Sequence, residues 1–161
     1  MPVTLSTAQR ILDELKKCGV THVVGLPDGT LRSVFQALMS QHELTYVPVC
    51  REGEAIPIAL GLMLGGKEAV TLHQNTGFFD SGDSVMGLAL EHRLPLLLLI
   101  GDRGWKRDAP ITDSAAIFLE PILNAWGIKY YILETDEDAD KISIGYKEAH
   151  ETNKPVAILI V

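Results

Sequence analysis

The fold of this protein is decided by the stretch Leu94-Pro95-Leu96-Leu97-Leu98-Leu99-Ile100-Gly101. Between the proline and the glycine, every side chain is a leucine or an isoleucine. A short, continuous apolar run is typical of a strand buried on both faces of a parallel sheet, and this run is too short to cross a bilayer. The stretch therefore predicts an α/β protein whose helices cover both faces of the sheet.

Helical and strand-like segments alternate on both sides of this run. The first helix is predicted to begin with Ser6 as its N-cap and to stop at Gly19, while residues 74–79 and 101–112 are predicted as loops. Six strands alternating with helices predict a doubly wound, six-stranded parallel sheet with helices on both faces, in a single domain over residues 1–161. The predicted strands are 22–26, 44–49, 69–73, 95–100, 129–133 and 155–161, and the later helices are 31–41, 54–64, a segment through 85–90, 115–126 and 137–151.

The composition is that of an ordinary globular protein, with 47% apolar and 22% charged residues among 161. The formal net charge of −7 argues against a nucleic-acid binder, because phosphate contacts need clustered lysine and arginine. Cys18 and Cys50 form neither a disulfide framework nor a zinc-type spacing, which favours a reducing compartment. We expect a cytoplasmic protein with no membrane segment, no nucleic-acid partner and no metal ligands of its own.

Polar residues follow several predicted strands, at the edge where doubly wound proteins bind ligands. Pro27-Asp28 ends the first strand, and Gln74-Asn75-Thr76 follows a later one. Asp28 either contacts a ligand or serves only the turn, and the two amides either hydrogen-bond to a ligand or cap a helix. His73 lies beside them, although a single histidine at a strand end is more often structural than catalytic.

Glu52 lies between a predicted strand and an apolar helical run. A carboxylate that faces an apolar run is costly unless it is paired, so its position indicates a function. The basic loop Arg103–Arg107 either binds an anion or forms a solvated surface.

A near match to a phosphate-binding loop occurs at Gly61–Lys67, which has the spacing G-x-x-x-x-G-K. Glu68 stands where that motif needs a serine or threonine for magnesium, and the segment does not follow a strand. A glycine helix stop is therefore the favoured interpretation.

In order and spacing, these motifs resemble the pyrimidine-binding (Pyr) domain of thiamine-diphosphate enzymes. Each motif is weak alone, but the ordered set covers nearly the whole chain. The likeness is greatest to sulfopyruvate decarboxylase α subunits and to the N-terminal half of phosphonopyruvate decarboxylases. The segments that carry it are Gly25-Leu26-Pro27-Asp28, Glu52-Gly53-Glu54-Ala55, Gln74-Asn75-Thr76-Gly77 and Leu98-Leu99-Ile100-Gly101-Asp102-Arg103-Gly104.

The resemblance implies roles for individual residues. Glu52, rather than Glu54, would be the catalytic residue, because it would contact N1′ of the cofactor's aminopyrimidine and favour the tautomer that takes a proton from the thiazolium. Asp28 would also lie near the reacting carbon. The other cofactor contacts would come from Pro27, Asp28, Gln74, Asn75 and Thr76, and the substrate contacts from Asp28, Arg103 and His73, with Lys106 and Arg107 as further candidates.

The implied function is that of the α subunit of a two-subunit lyase. It would decarboxylate a 2-oxoacid with thiamine diphosphate, converting sulfopyruvate to sulfoacetaldehyde and carbon dioxide. A β subunit with a G-D-G…N segment would hold the diphosphate and Mg²⁺, in an α2β2 or larger assembly.

Two departures from the family pattern leave alternatives open. An acidic-Pro-Gln-His element is replaced by Asp108–Thr112, and Phe78-Phe79 suggests a bulkier or more apolar pocket wall. One alternative is a decarboxylase or carboligase for a phosphonopyruvate-like or less polar 2-oxoacid. The other is a non-catalytic binding module on the same fold.

Overall fold

The computed structural model describes residues 3–161 and contains a six-stranded parallel sheet with the strand order β2-β1-β3-β4-β6-β5. All five residues of β4 are buried, as the leucine run predicted. The predicted doubly wound α/β fold is therefore confirmed. The strands are β1 His22–Gly25, β2 Thr45–Pro48, β3 Ala69–Gln74, β4 Leu97–Gly101, β5 Lys129–Leu133 and β6 Val156–Ile160.

Helices cover the two faces of the sheet in two layers, each with its own buried apolar cluster. The α1/α2/α7 layer consists of α1 Leu5–Lys17, α2 Arg32–Met39 and α7 Lys141–Thr152. The α3/α6 layer consists of α3 Ala55–Leu64, α4 Asn75–Asp80, α5 Gly82–Ser84, a π-helical segment Val85–Leu90 and α6 Ser114–Ala125.

No helix within residues 3–161 is long and apolar enough to cross a membrane.

The start of α1 differs from the prediction. Its N-cap is Thr4, whose hydroxyl accepts a hydrogen bond from the Thr7 amide at 3.0 Å. Ser6 lies inside the helix and donates to the Asp136 carboxylate instead. Both hydroxyls suit a cap, and the contact with Asp136, 130 residues away in sequence, is a tertiary one that the local pattern does not show.

Residues 74–79 were predicted as a loop, and this prediction is wrong. Asn75–Asp80 form α4, which starts where the Asn75 side chain accepts a hydrogen bond from the Thr76 amide at 3.0 Å. The polar, glycine-containing composition is typical of a loop, but burial of Phe78 in the core stabilises a helix there.

The end of α3 agrees with its interpretation as a helix stop rather than a phosphate-binding loop. The helix ends at Leu64, with Gly65 as its C-cap. Gly66 then adopts a φ of +80°, a left-handed conformation that favours glycine. The G-x-x-x-x-G-K spacing therefore arises from a helix terminus.

Candidate active site

The predicted site residues follow four strands that are neighbours in the sheet. Pro27-Asp28 follows β1, Glu52 follows β2, Gln74 ends β3 and Arg103 follows β4. Because the strands are parallel and adjacent in the order β2-β1-β3-β4, all four segments lie along one edge. The strand order reverses between β1 and β3, which is the crevice where doubly wound proteins bind ligands.

Asp28 serves both the turn and the crevice. Its Oδ1 accepts hydrogen bonds from the amides of Thr30 at 2.5 Å and Leu31 at 3.2 Å, and from Gln74 Nε2 across the crevice at 3.3 Å. Its Oδ2 is buried and has no hydrogen-bond partner among the described residues. One oxygen therefore holds the loop in place, while the other is unpaired and enclosed beside the ligand-binding edge.

Glu52 begins a 3₁₀ turn, Glu52–Glu54, that leads directly into α3. Its half-buried side chain packs on Gly77, where a Cβ atom would lie only 2.2 Å from Glu52 Cγ. The close approach therefore requires glycine at position 77. The Glu52 carboxylate makes no hydrogen bond or ion pair with any described residue, so both of its oxygens can contact a ligand.

The neighbouring Glu54 is used differently. Its Oε2 accepts hydrogen bonds from the amides of Cys50 at 3.1 Å and Arg51 at 3.2 Å. These bonds satisfy backbone donors at the start of the turn, as a capping side chain does. The contrast supports the choice of Glu52 over Glu54 as the candidate acid–base group.

Polar residues after Gly77 hold the backbone around Glu52. Asp80 accepts two hydrogen bonds from the Arg51 guanidinium, at 2.6 and 2.9 Å, and one from the Gly53 amide at 3.1 Å. The bond from Arg51 lowers the pKa of Asp80. Ser81 donates from its hydroxyl to the Glu52 carbonyl at 3.1 Å. These supporting residues were missed in the sequence, although the polar run 80–84 was a signal for them.

The amides after β3 have separate tasks. Gln74 Oε1 accepts hydrogen bonds from the Thr76 hydroxyl at 2.7 Å and from Arg103 Nη1 at 3.3 Å. Asn75 is fully buried, and its Nδ2 donates to Asp102 Oδ1 at 2.8 Å and to the Arg103 carbonyl at 2.9 Å. Gln74 and Thr76 therefore lie on the edge itself, whereas Asn75 joins the ends of β3 and β4.

Asp102 is a buried carboxyl group that was not predicted as a site residue. It is 3% exposed, and its Oδ2 has no hydrogen-bond partner among the described residues. Burial raises the pKa of Asp102 to about 6, partly opposed by the hydrogen bond from Asn75. Asp102 lies within the Leu98–Gly104 segment, but its burial is not visible in that segment because it depends on contacts with residues distant in sequence, such as Asn75.

In the basic loop, Arg103 is the arginine that lies close to the crevice, and it is paired with a carboxylate. Arg103 donates to both oxygens of Asp113, at 3.0 and 3.4 Å, and this contact lowers the pKa of Asp113. Arg107 is paired with Glu134 farther along the edge. Lys106 is exposed and makes no hydrogen bond or ion pair with any described residue, in contrast to Arg103 and Arg107.

His73 and Phe78 lie inside the core rather than on the edge. His73 is 0% exposed, neither ring nitrogen has a described partner, and burial lowers its pKa to about 4. Its ring centroid lies 6.1 Å from that of Phe78, which packs against Trp126. The interpretation of Phe78 as a pocket wall is therefore wrong, and a substrate contact by His73 finds no support in this arrangement.

The crevice suits an aminopyrimidine ring, which has both acceptor nitrogens and an amino donor. The unpaired carboxyl group of Glu52 and the exposed hydroxyl of Thr76 can contact such a ring, and Gln74 and the enclosed Asp28 lie beside them. No group of three or more His, Cys, Asp or Glu within residues 3–161 is placed to hold a metal ion. The residues present therefore fit the pyrimidine end of thiamine diphosphate.

Comparison with known proteins places this chain in a family. Residues 5–117 match the family model of the thiamine pyrophosphate enzyme, N-terminal TPP binding domain. The sulfopyruvate decarboxylase subunit alpha of Methanococcus maripaludis is 28% identical over 97% of this chain and 95% of its own length. The phosphonopyruvate decarboxylase of Streptomyces hygroscopicus is 31% identical over 61% of this chain, which corresponds to 24% of that enzyme.

Solved structures share the fold. Benzoylformate decarboxylase from Polynucleobacter necessarius superimposes with a TM-score of 0.77 and 23% identity, over 99% of this chain and 30% of that one. The 2-oxoglutarate:ferredoxin oxidoreductase from Magnetococcus marinus gives a TM-score of 0.75 with 18% identity, over 95% of this chain and 28% of that one. The chain thus spans less than a third of these larger proteins, and it belongs to the thiamine pyrophosphate enzymes as an N-terminal TPP-binding domain.

Proposed function

We propose that this chain is the α subunit of a thiamine-diphosphate-dependent 2-oxoacid decarboxylase. The observation that carries the proposal is the Glu52 carboxylate, which is packed on Gly77 at the ligand-binding edge and has no hydrogen-bonding partner in its own chain. The relatives named as sulfopyruvate decarboxylase α subunits, similar over most of both chains, support the same reaction class.

Glu52 would hold a proton against N1′ of the aminopyrimidine. Bound thiamine diphosphate supplies the thiazolium that accepts the electron pair released when carbon dioxide leaves a 2-oxoacid. This role is supported by the packing of the Glu52 side chain on Gly77 and by the hydrogen bond from Ser81, which holds the Glu52 backbone carbonyl. Gln74 and Asp28 would orient the ring, and Pro27, Thr76 and the buried Asn75 would complete or support that part of the site.

Sulfopyruvate is the proposed substrate. Its two negative charges call for cations at the edge, and Arg103 and Lys106 are the basic residues of the loop that follows β4. Arg103 contacts Gln74 at the crevice and is the proposed contact for the anionic group, whereas Lys106 lies beside Arg107 and Glu134 in a separate hollow. His73 and Arg107 are less suited, because the first is buried and the second is paired with Glu134.

A second subunit would complete the site. The relatives carry the name "subunit alpha", which implies a partner. We propose that a β subunit holds the diphosphate and Mg²⁺, in an α2β2 or larger cytoplasmic assembly, and that residues 1–161 form one domain. The support is the family resemblance, in which those groups are bound by a separate domain.

The test compares Glu52→Gln with the matched control Glu54→Gln in the reconstituted complex. Glu52→Gln should lower kcat for sulfopyruvate by roughly a hundredfold or more, because the amide cannot hold the shared proton. Glu54→Gln should stay within a few-fold of wild type, since its amide oxygen can still accept from Cys50 and Arg51. Wild-type turnover by Glu52→Gln would contradict the proposal.

A substrate comparison, rather than the Glu52→Gln variant, distinguishes sulfopyruvate decarboxylation from the two alternatives, a different 2-oxoacid substrate and a non-catalytic binding module. The complex is assayed with sulfopyruvate, phosphonopyruvate and an aromatic 2-oxoacid. Highest kcat/KM for one of the other two acids would reassign the substrate to a phosphonopyruvate-like or less polar acid. Absence of turnover with all three, in a complex that binds thiamine diphosphate, would favour the non-catalytic binding module.

A further inference from the structure

The outer surfaces of α3, the π-helical segment and α6 carry almost no charge, and the exposed charges of this layer, Asp80 and Asp83, lie on the short helices α4 and α5. Neither α3 nor the π-helical segment contains a charged residue, and α6 contains only Glu120. Glu120 is itself half-buried and accepts a hydrogen bond from the Tyr130 hydroxyl at 2.5 Å. Water therefore meets an outer helical surface composed mainly of aliphatic and aromatic side chains.

Large apolar side chains are concentrated on this surface. Single exposed apolar residues are normal on soluble proteins, but contiguous groups of them mark interaction sites. A shallow groove beside α6 adds Phe79, Ile122 and Trp126 to the same side of the molecule. The large exposed residues of the layer are Ile58 and Leu64 on α3, Met86 on the π-helical segment, and Ile117 and Phe118 on α6.

The sequence of α3 leads to the same conclusion. Its ten residues, Ala55–Leu64, are apolar all round, although only one side packs on the sheet, through Ala55, Ile56, Ala59 and Leu60. Amphipathic surface helices carry polar residues on the outer side, whereas helices that are apolar all round are buried. Ile58 and Leu64, which are 38% and 79% exposed in the isolated chain, are therefore suited to burial in an assembly.

Glycines make part of this surface open to close approach. A Cβ atom added at Gly61 of α3 or at Gly87 of the π-helical segment would meet nothing within 4 Å. A partner helix can therefore approach the backbone closely at both positions.

The surface is continuous with the candidate active site. Helices that follow parallel strands begin at the carboxyl edge of the sheet, and α3 begins directly after the Glu52–Glu54 turn. The α6 helix begins at its cap Asp113, which holds Arg103. A protein that covers this layer thus reaches Glu52 at one end of α3 and Arg103 at the start of α6.

We infer that the surface of Ile58, Leu64, Met86, Ile117 and Phe118 docks the subunit that supplies the diphosphate half of the site. This inference rests on the proposed function, because that function requires a second subunit beside Glu52. The partner's matching surface is helical and apolar, with few charges. The α1/α2/α7 layer is less suited to this contact, because it lies on the opposite face of the sheet from Glu52 and is rich in charge.

The test uses isoleucine-to-glutamate variants matched in exposure. Ile58→Glu and Ile117→Glu place a charge on the proposed surface, at residues 38% and 45% exposed. Ile144→Glu is the control, because Ile144 is 46% exposed on α7 of the other layer. Each full-length chain is co-expressed with the β subunit from the same genome, and the dissociation constant of the purified complex is measured by titration and native mass spectrometry.

Ile58→Glu and Ile117→Glu should each raise the dissociation constant at least tenfold, because association would bury an unpaired charge. Ile144→Glu should change it less than twofold. Thermal melting of the isolated chains, expected to agree within a few degrees, shows whether all three remain folded. Unchanged binding by Ile58→Glu and Ile117→Glu, or equal weakening by Ile144→Glu, would overturn the inference.

Two further outcomes are distinguishable. If the two variants abolish only self-association of this chain, measured by analytical ultracentrifugation, and leave β-subunit binding intact, the surface contacts a second copy and the inference fails. If Glu52→Gln retains full turnover while Ile58→Glu loses the complex, the catalytic proposal fails and the docking surface stands. A Glu52→Gln chain that binds the β subunit normally but lacks turnover supports both.

Discussion

The two helical layers of this protein pack on one sheet but have different outer surfaces. The α1/α2/α7 layer is charged outside, with five charged residues on α1 alone and ion pairs such as Lys16–Glu43 and Lys147–Glu151. The α3/α6 layer has Glu120 as its one charged residue in α3, the π-helical segment and α6. Since both inner faces are apolar, the two layers differ in the surfaces that they expose.

The layers also differ beneath their helices. Three buried residues on the α3/α6 side of the sheet, Thr71, His73 and Asp102, carry polar atoms without a described hydrogen-bond partner. Such atoms cost stability and are tolerated most often near functional sites. This layer therefore combines outer helix surfaces that are poor in charge with a few buried polar groups next to the site, in a core that is otherwise apolar.

The largest expected effect on the free energy of unfolding comes from the two apolar cores, and it tests whether they contribute equally to stability. Phe35 and Phe78 are 2% and 0% exposed, one under each layer, and each has an aromatic neighbour with ring centroids 5.7 Å apart. Phe35→Ala and Phe78→Ala should each lower the free energy of unfolding by about 3–5 kcal/mol, because each leaves a cavity. Urea unfolding measures both, and half-buried Phe79→Ala should cost less. A loss confined to one layer would show that the cores are not equivalent.

A smaller effect concerns the two buried titratable groups on the α3/α6 side. His73 has its pKa lowered to about 4, so the unfolded chain binds its proton first, and this contribution to stability is lost as pH falls from about 6.5 to 4. Asp102 has its pKa raised to about 6, so its contribution is present at low pH and is lost as pH rises from about 4 to 6. The two changes in the free energy of unfolding have opposite signs and are each on the order of 3 kcal/mol, so they should largely cancel in the wild type.

Single variants should expose these slopes. Relative to wild type at each pH, His73→Leu should gain stability as pH falls from 6 to 4, whereas Asp102→Asn should lose it over the same range. The free energy of unfolding from chemical denaturation at several pH values is the measurement. Surface carboxylates titrate in every variant, so only differences from wild type count. Parallel curves for all three proteins would disprove the assignment of both groups.

The smallest effect should come from the charged exterior. Lys16 and Glu43 form an ion pair in which Glu43 is largely exposed. Lys16→Met should shift Tm by less than about 3 °C, because exposed pairs gain little over their interactions with water. Melting at low and high salt is the measurement, and any effect should shrink as salt screens the pair. A shift as large as that of Phe35→Ala would show that the exterior stabilises this layer.

Local patterns in the sequence predicted much of the fold. The leucine run identified β4, β5 matched residue for residue, and the apolar run identified α3, because burial and helix periodicity are recorded in consecutive residues. The helix Asn75–Asp80 was not predicted, since its polar composition resembles a loop and its stability comes from Phe78 in the core. Asp102 was missed because its burial depends on contacts with residues distant in sequence, such as Asn75.

The sequence by itself determined the family, the alternation of strands and helices, and the identity of Glu52 as the candidate acid–base residue. Only the tertiary structure decided that β1 and β3 are neighbours, so that Asp28 meets Gln74 3.3 Å away, and that Gly77 packs on Glu52. It also decided that His73 is enclosed and that Glu54 holds the backbone. The physical reason is that periodicity and turn chemistry are local, whereas strand order and contacts between distant residues arise from packing of the whole chain.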